Sequence, residues 1–210
     1  MCLTCWTLTG SRRSDYARGV TDTMRTKRWT RVEYDRLIEK GLFGPDDRLE
    51  LLGGLLVVRE PQGSPHALGI RMAEEALRTA FASGWDVRGQ LPVALDDESE
   101  PEPDVSVVPG SFRDYRHDHP ARPVLVVEVA ESSLGVDRGE KASLYARAGL
   151  ADYWIVNLVA HVLEVYRDPA VDALAPYGWR YASVLTLRAG DAVTPVAAPE
   201  SSIPVADLVP

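Results

Sequence analysis

The run PVLVVEV at positions 123–129 constrains the fold more than any other segment, because nearly every residue in it is apolar or β-branched. A strand with one solvated face alternates apolar and polar side chains, whereas a continuous apolar run is typical of a central strand covered on both faces. The sequence therefore predicts a sheet with further layers packed against both of its faces.

Helix and strand signals alternate around this central strand. Thr30 and Glu33 have the spacing of a capping box, and Val32, Leu37 and Ile38 give the following turns an apolar face. The predicted elements are a helix at 31–40, a β-hairpin around Gly53-Gly54, a helix from Ser64-Pro65 to Ser83-Gly84, strands at 85–88, 91–95 and 104–108, a polar loop from Gly110 to the central strand, a helix at 138–148 capped by Asp137 and Glu140, strands at 152–158 and 161–167, and a weaker β-rich tail through Trp179–Leu187. This order predicts an α/β (α+β) fold in which helices flank a mixed sheet.

Length and composition favour one domain. The chain has 210 residues with 45% hydrophobic content, which is ordinary for a globular protein with a single core. Met24 stands just before the first organised segment, so residues 1–23 are expected to form a disordered extension and 24–210 the domain.

No stretch is long and apolar enough to cross a membrane and the start lacks a signal-peptide core, which predicts a cytoplasmic protein. Cys2 and Cys5 have no further ligand nearby and are interpreted as incidental thiols.

The net charge of −8 argues against a protein that holds nucleic acid through a large positive field. Basic residues do gather near the start of the chain. They could form a phosphate-binding arm, although a disordered extension is favoured. These residues are Arg12, Arg13, Arg18, Arg25, Lys27, Arg28 and Arg31.

Two acids on neighbouring predicted strands and a lysine on the following helix are the candidate functional residues. Asp104 follows Pro103 at a strand entry, Glu128 interrupts the apolar central strand, and Lys141 lies on the helix after it. Gathered at one point, Asp104 and Glu128 could hold a hard divalent cation that positions a water for attack on phosphate.

Each of these residues also has an interpretation without function. Asp104 could cap a turn at the strand edge, and Glu128 could stand where the strand has already emerged into solvent. Lys141 lies four residues after Asp137, so an exposed helical salt bridge would explain it.

Other chemistries fit the sequence less well. The segment GVDRGEKAS has the wrong spacing for a phosphate-binding P-loop, and no G-x-S-x-G motif of a serine hydrolase is present. His117 and His119 form an H-x-H pair that could ligate zinc, but a polar loop explains them better.

Seven ordered segments together resemble the Uma-two family of restriction-endonuclease-like proteins, which is assigned to the PD-(D/E)XK nuclease superfamily. The segments are RLELLGGLLVV, SPHALGIRMAEEAL, PDVSVV, PVLVVEVAESS, DRGEK, YARAGLADYWIVN and LEVYR, and the resemblance covers about residues 30–205. It implies a restriction-endonuclease-like mixed sheet flanked by helices, with an N-terminal helix and β-hairpin.

The resemblance also implies residue roles. Asp104 matches the PD aspartate and Glu128 the second acid, and with the carbonyl of Val129 they would hold Mg²⁺ or Mn²⁺. The superfamily position for the lysine is occupied by Ala130, whereas the family places the lysine on the next helix, where Lys141 stands.

Three further positions of the family pattern are polar. Glu50 and His66 match two of them, with a metal or phosphate role or a capping role in the hairpin and helix as the alternatives. Asn157 stands where the family usually has an aspartate.

The leading hypothesis is therefore a Mg²⁺-dependent endonuclease that hydrolyses phosphodiester bonds of DNA. The alternative is a catalytically silent nuclease-like module that binds a protein or nucleic-acid partner, since fold does not determine function. A homodimer is plausible for double-strand cutting, although nothing in the sequence requires it.

Overall fold

The structure of the protein is a computed structural model that describes residues 26–44, 47–59 and 61–210. The expected extension at 1–23, Cys2 and Cys5, and four of the seven clustered basic residues lie outside these ranges. The helices are α1 (Arg31–Glu39), α2 (Ser64–Ala80), α3 (Leu134–Val136) and α4 (Ala142–Arg147), with a π-helical turn at Asp137–Lys141 and a 3₁₀ turn at Val205–Asp207. The strands are β1 (Leu49–Leu52), β2 (Leu55–Val58), β3 (Trp85–Gly89), β4 (Val105–Pro109), β5 (Leu125–Ala130), β6 (Asp152–Asn157), β7 (Val162–Val171), β8 (Trp179–Leu187), β9 (Ala192–Val193) and β10 (Ile203–Pro204).

Six strands form one mixed sheet in the order β3-β4-β5-β6-β7-β8. The β5–β6 pair is parallel and all other neighbouring strands are antiparallel. All six residues of β5 are buried, which confirms the central, doubly covered strand. The sheet with helices on both faces confirms the predicted fold class.

The two faces of β5 pack against different layers. Val127 and Val129 belong to a core cluster with the buried side of α2, including Ile70 and Leu77. Val126 and Ala130 belong to a second cluster, formed with tyrosines of α4, β6, β7 and β8. Since side chains alternate along a strand, Glu128 lies on the same face as Val126, towards the π-turn and α4.

The hairpin β1–β2 forms a separate two-stranded sheet beside the main one. Its turn residues Gly53 and Gly54 have φ of +54° and +81°, which only glycine adopts at low cost. A Cβ on Gly53 would also lie 2.3 Å from a ring carbon of Tyr177. The hairpin is attached to the domain by backbone hydrogen bonds in both directions between Leu51 and Glu100.

Helix α1 has the predicted start but not the predicted apolar face. The Thr30–Glu33 capping box is present, yet Val32 and Ile38 are 55% and 50% exposed. Tyr34 is the buried residue of this helix, and its hydroxyl donates to the carbonyl of Leu49. The helix and its cap are as predicted, but the predicted apolar face is wrong, because the ring of Tyr34 attaches this short helix to the hairpin in place of an aliphatic stripe.

The segment 91–95 is not a strand of the sheet, in contrast to the prediction. Pro92 has no N–H to donate to a ladder, and Val93 instead donates to the carbonyl of Pro101, within a local extended loop. The apolar residues Val93 and Ala94 are buried, so their hydrophobic pattern reports burial without sheet pairing.

The helix predicted at 138–148 begins earlier and contains an irregular turn. Helix α3 starts at Leu134, and Asp137 is buried inside the continuous helical segment, so it does not cap it. Helix α2 begins at Ser64 with Gly63 as its N-cap residue and Pro65 in the first turn, one residue before the predicted cap. No helix within the described ranges is long and apolar enough to span a membrane.

Candidate active site

Strands β4 and β5 stop pairing where two acidic residues stand. The register ends at Val105 opposite Val127, and its continuation would place Pro103 opposite Val129. Proline cannot donate a ladder hydrogen bond, and the side chain of Asp104 accepts from the amide of Val129 at 2.8 Å instead. The proline thus opens the sheet locally and turns the carboxylate of Asp104 towards β5.

Glu128 lies within β5 and is 3% exposed. One carboxylate oxygen accepts from the Lys141 ammonium at 3.1 Å and from the Tyr145 hydroxyl at 2.8 Å. The other accepts a long hydrogen bond of 3.4 Å from the Asp104 amide. The strand has therefore not emerged into solvent at Glu128, in contrast to the alternative considered from the sequence.

Lys141 is buried among carboxylates. Its ammonium lies 3.3 Å from Glu50 of the hairpin, and the carboxylate of Asp137 lies 4.0 Å away in the π-turn. The pair of Lys141 with Asp137 exists, but both residues are buried, so the exposed salt bridge considered from the sequence is wrong.

Asp137 is the residue of this cluster that sequence reasoning missed. The sequence predicts that Asp137 caps a helix and forms a surface salt bridge with Lys141. In the structure its carboxylate accepts a 2.6 Å hydrogen bond from the Ser133 hydroxyl. An aspartate in the segment SSLGVDRGEK could have been marked as a site candidate, but the π-turn that buries it has no signal in the sequence.

The acidic cluster borders a cavity of about 530 Å³. Glu50, Asp104, Glu128, Asp137 and Lys141 line it together with His66 and Arg59. His66 Nε2 lies 3.2 Å from one oxygen of Asp104, without the alignment of a hydrogen bond, and Arg59 lies 3.6 Å from the other. The structure thus places all five residues selected from the sequence around one cavity.

Burial has the largest effect on the two acids that face the lysine. It raises the pKa of Glu128 to about 8, since the neighbouring carboxylates add to burial and outweigh the opposing charge of Lys141. Burial likewise raises the pKa of Asp137, against the opposing effects of Lys141 and the Ser133 hydroxyl. Both shifts arise chiefly because burial disfavours the charged form, and the neighbouring carboxylates add to it.

The pKa of Asp104 moves in the other direction. Burial opposes ionisation, but the neighbouring His66, the Val129 amide and Lys141 together lower the pKa of this carboxyl. For Lys141, burial opposes the charged form while Glu128, Glu50 and Asp137 raise the pKa above its usual value. Lys141 is thus held protonated by three carboxylates, two of which, Glu50 and Glu128, the sequence did not pair with it.

Two other polar candidates from the sequence lie away from the cavity. Asn157 donates to Glu164 at 2.7 Å, and its side-chain oxygen accepts from the amides of Val159 and Ala160 in the β6–β7 turn. His117 and His119 are exposed in a loop. Across the described ranges, no three His, Cys, Asp or Glu side chains converge closely enough to form a metal site by themselves.

Comparison with known proteins identifies the family of the chain. Residues 31–206 match the Uma2 family, described as "Putative restriction endonuclease". The match covers well over half of the chain, so the protein belongs to this family. None of the curated proteins compared with the chain matches it.

A solved structure has the same fold. The crystal structure of "a putative nuclease belonging to DUF820 from Anabaena variabilis ATCC 29413" superposes with a TM-score of 0.64 at 16% sequence identity, over 86% of this chain and 97% of that chain. At this identity the likeness concerns the fold alone. The family and the fold together are those of a nuclease-like protein.

Proposed function

We propose that the protein is a Mg²⁺- or Mn²⁺-dependent endonuclease that hydrolyses phosphodiester bonds of DNA. The observation that carries this proposal is the cluster of four buried carboxylates and one lysine around a single cavity at the β4–β5 fork. Isolated buried charges are costly, so such a cluster needs a function or a counter-ion.

The donor atoms of the cluster fit a hard divalent cation. Asp104 and Glu128 offer carboxylate oxygens from adjacent strands, and Mg²⁺ in proteins is held by one or two carboxylates while it keeps several waters. The N–H of Val129 is directed towards Asp104, and in a strand the carbonyl of the same residue points to the same side. Asp104, Glu128 and the Val129 carbonyl are therefore the proposed ligands, and a bound cation would offset the burial and the neighbouring negative charges that raise the pKa of Glu128.

When bound, the cation would act as a Lewis acid on the phosphate and lower the pKa of a coordinated water. Lys141, which donates to Glu128, would orient the attacking water and stabilise the negative charge that develops on phosphorus. Glu50 and Asp137 fix the lysine from two other sides, and His66 and Arg59 face Asp104 where a phosphate could approach.

The silent nuclease-like module is the second candidate. The net charge of −8 favours it, because an acidic surface repels nucleic acid. The convergence of the buried Asp104, Glu128 and Lys141 on one cavity favours the enzyme, since several charged groups gathered in one place are costly to bury unless they act on a ligand.

The test is cleavage of plasmid and linear DNA by purified protein with Mg²⁺ or Mn²⁺ and with EDTA. We expect cleavage with Mg²⁺ or Mn²⁺ and none with EDTA. The cleavage rate should fall at least about 100-fold in each of Asp104→Asn, Glu128→Gln and Lys141→Met, as is typical when groups that stabilise a transition state are removed. Activity that survives all three substitutions would contradict the site.

Asp152→Asn is the matched control. Asp152 is also a buried carboxylate on the sheet, but its partners are Arg167, Trp154 and the amide of Val196, none of which lines the cavity. This variant should keep full activity. No cleavage of any nucleic acid, combined with no Mn²⁺ binding in calorimetry, would favour the silent module.

A further inference from the structure

A second cavity adjoins the acidic cluster. It encloses about 470 Å³ between α1, the hairpin and the end of β3, and Arg59 lines both cavities. The guanidinium of Arg59 lies 2.6 Å from Glu102 and 3.6 Å from Asp104. The two cavities are thus neighbours separated by one basic side chain.

One wall of the second cavity is aromatic. Tyr34 and Phe43 line it with their ring centroids 6.0 Å apart. Aromatic rings of this kind are the usual platforms on which proteins stack single nucleobases.

Gln90 contributes a polar group to the lining of the same cavity. It is one of three non-glycine residues with positive φ in the described ranges, and its φ is +52°. Its backbone N–H donates to the carbonyl of Asp104 at 3.0 Å. Its side-chain Nε2 is buried and has no hydrogen-bond partner among the described residues. A left-handed backbone and an unsatisfied donor both cost free energy, and strain of this kind is concentrated at ligand sites.

We propose that this second cavity binds one nucleobase of the substrate, on the nucleotide next to the scissile phosphate. The base would stack against Phe43, the more exposed ring of the pair, and accept a hydrogen bond from Gln90. Arg59 lies where the adjacent phosphate would enter the acidic cavity. The inference rests on the proposed function and adds a specificity residue to it.

A base can enter such a cavity only when it is unstacked from its neighbours. The preferred substrate would therefore be single-stranded DNA or a site where a duplex is opened. Carboxamide side chains read the hydrogen-bonding edges of bases, so the cavity should discriminate among the four bases.

The test is calorimetric binding of the four deoxynucleoside 5′-monophosphates in EDTA, with inorganic phosphate as a separate probe. We expect at least one nucleotide to bind the wild-type protein more tightly than phosphate does. Because no metal or cleavage is involved, failure here is distinguishable from failure of the nuclease assay. Binding of phosphate as tight as that of every nucleotide would overturn the base site, as would no binding at all.

Substitutions at Gln90 separate binding from folding. Gln90→Gly relieves the positive φ, so it should raise the unfolding midpoint while it weakens nucleotide affinity by about tenfold, the effect of one lost hydrogen bond to a buried group. Gln90→Asn keeps the amide and tolerates a positive φ, and it should retain affinity better than the glycine variant. Unchanged nucleotide affinity in Gln90→Gly would contradict the role of Gln90.

Discussion

Buried carboxylates distinguish this protein at the residue scale. Glu128 could be identified from the sequence because it interrupts an apolar strand, and its burial agrees with that reasoning. Asp137 could not, since its neighbours Val136 and Arg138 give no pattern that separates a buried from an exposed aspartate. Local sequence shows which acids are unusual only where the surrounding residues define an environment.

Glu100 leads to a prediction on pH and stability. It is 3% exposed, and one of its carboxylate oxygens has no partner in the described ranges. Burial raises its pKa to about 7; the negative charge of Asp35 adds to this effect and the positive charge of Arg31 opposes it. The folded state therefore keeps a proton that the unfolded chain releases near pH 4.5, so this contribution to stability is present below pH 4.5 and is lost as the pH rises through 7.

Glu100→Gln should remove that pH dependence. We compare the free energy of unfolding of the wild-type protein with that of the variant at each pH. The difference should fall by about 1–2 kcal/mol between pH 4.5 and pH 8. This is less than the pKa shift of Glu100 alone implies, because solvent screens part of the electrostatic effect. Urea unfolding at the two pH values measures this difference. An equal change in both proteins would show that Glu100 does not titrate in this range.

At the scale of elements, the π-turn between α3 and α4 determines the geometry of the site. A π-turn contains one residue more than the corresponding α-helical turn, and such turns are frequent at functional sites. Here it spans Asp137–Lys141 and directs both of its end residues into the acidic cluster. The regular helix predicted from the sequence would have placed Lys141 differently, by about 100° of rotation relative to the preceding segment.

Deletion of Gly139 tests the role of the π-turn. The shorter segment should form a continuous α-helix in which Asp137 and the residues before it are shifted around the helix axis relative to Lys141, so we expect loss of metal-dependent cleavage with an unchanged far-ultraviolet circular dichroism spectrum. Gly139→Ala is the matched control, because a Cβ at this position meets no atom within 4 Å. It should keep activity and gain about 0.5–1 kcal/mol of stability. Full activity of the deletion variant would exclude a role for the irregular turn.

At the scale of the whole molecule, charge and function conflict. The chain has a net charge of −8, while the cationic residues that border the two cavities are Arg48, Arg59 and Lys141. Nucleic acid must therefore be held through a few local contacts and not through a general positive field.

The salt dependence of DNA binding tests this interpretation. For the Glu128→Gln variant, we expect the slope of log affinity against log salt to have a magnitude below about 3, because each neutralised phosphate contributes roughly 0.9 to it. A variant without residues 1–25 should give the same slope. A much steeper slope that depends on those residues would instead support the basic phosphate-binding arm.

The sequence by itself determined the layered sheet, the hairpin and the position of Glu128 in an apolar strand, because hydrophobic periodicity and turn chemistry are local properties of the chain. The choice of Asp104 rested on local reasoning together with the family resemblance, and that of Lys141 mainly on the resemblance. It did not determine the loop character of 91–95, where Pro92 prevents pairing that the apolar pattern suggests. Only the tertiary structure decided which polar groups are enclosed together. The partners of Lys141 come from the hairpin, β5 and the π-turn, and the cavity beside Gln90 lies between elements distant in sequence. Such contacts depend on long-range packing, which no local pattern encodes.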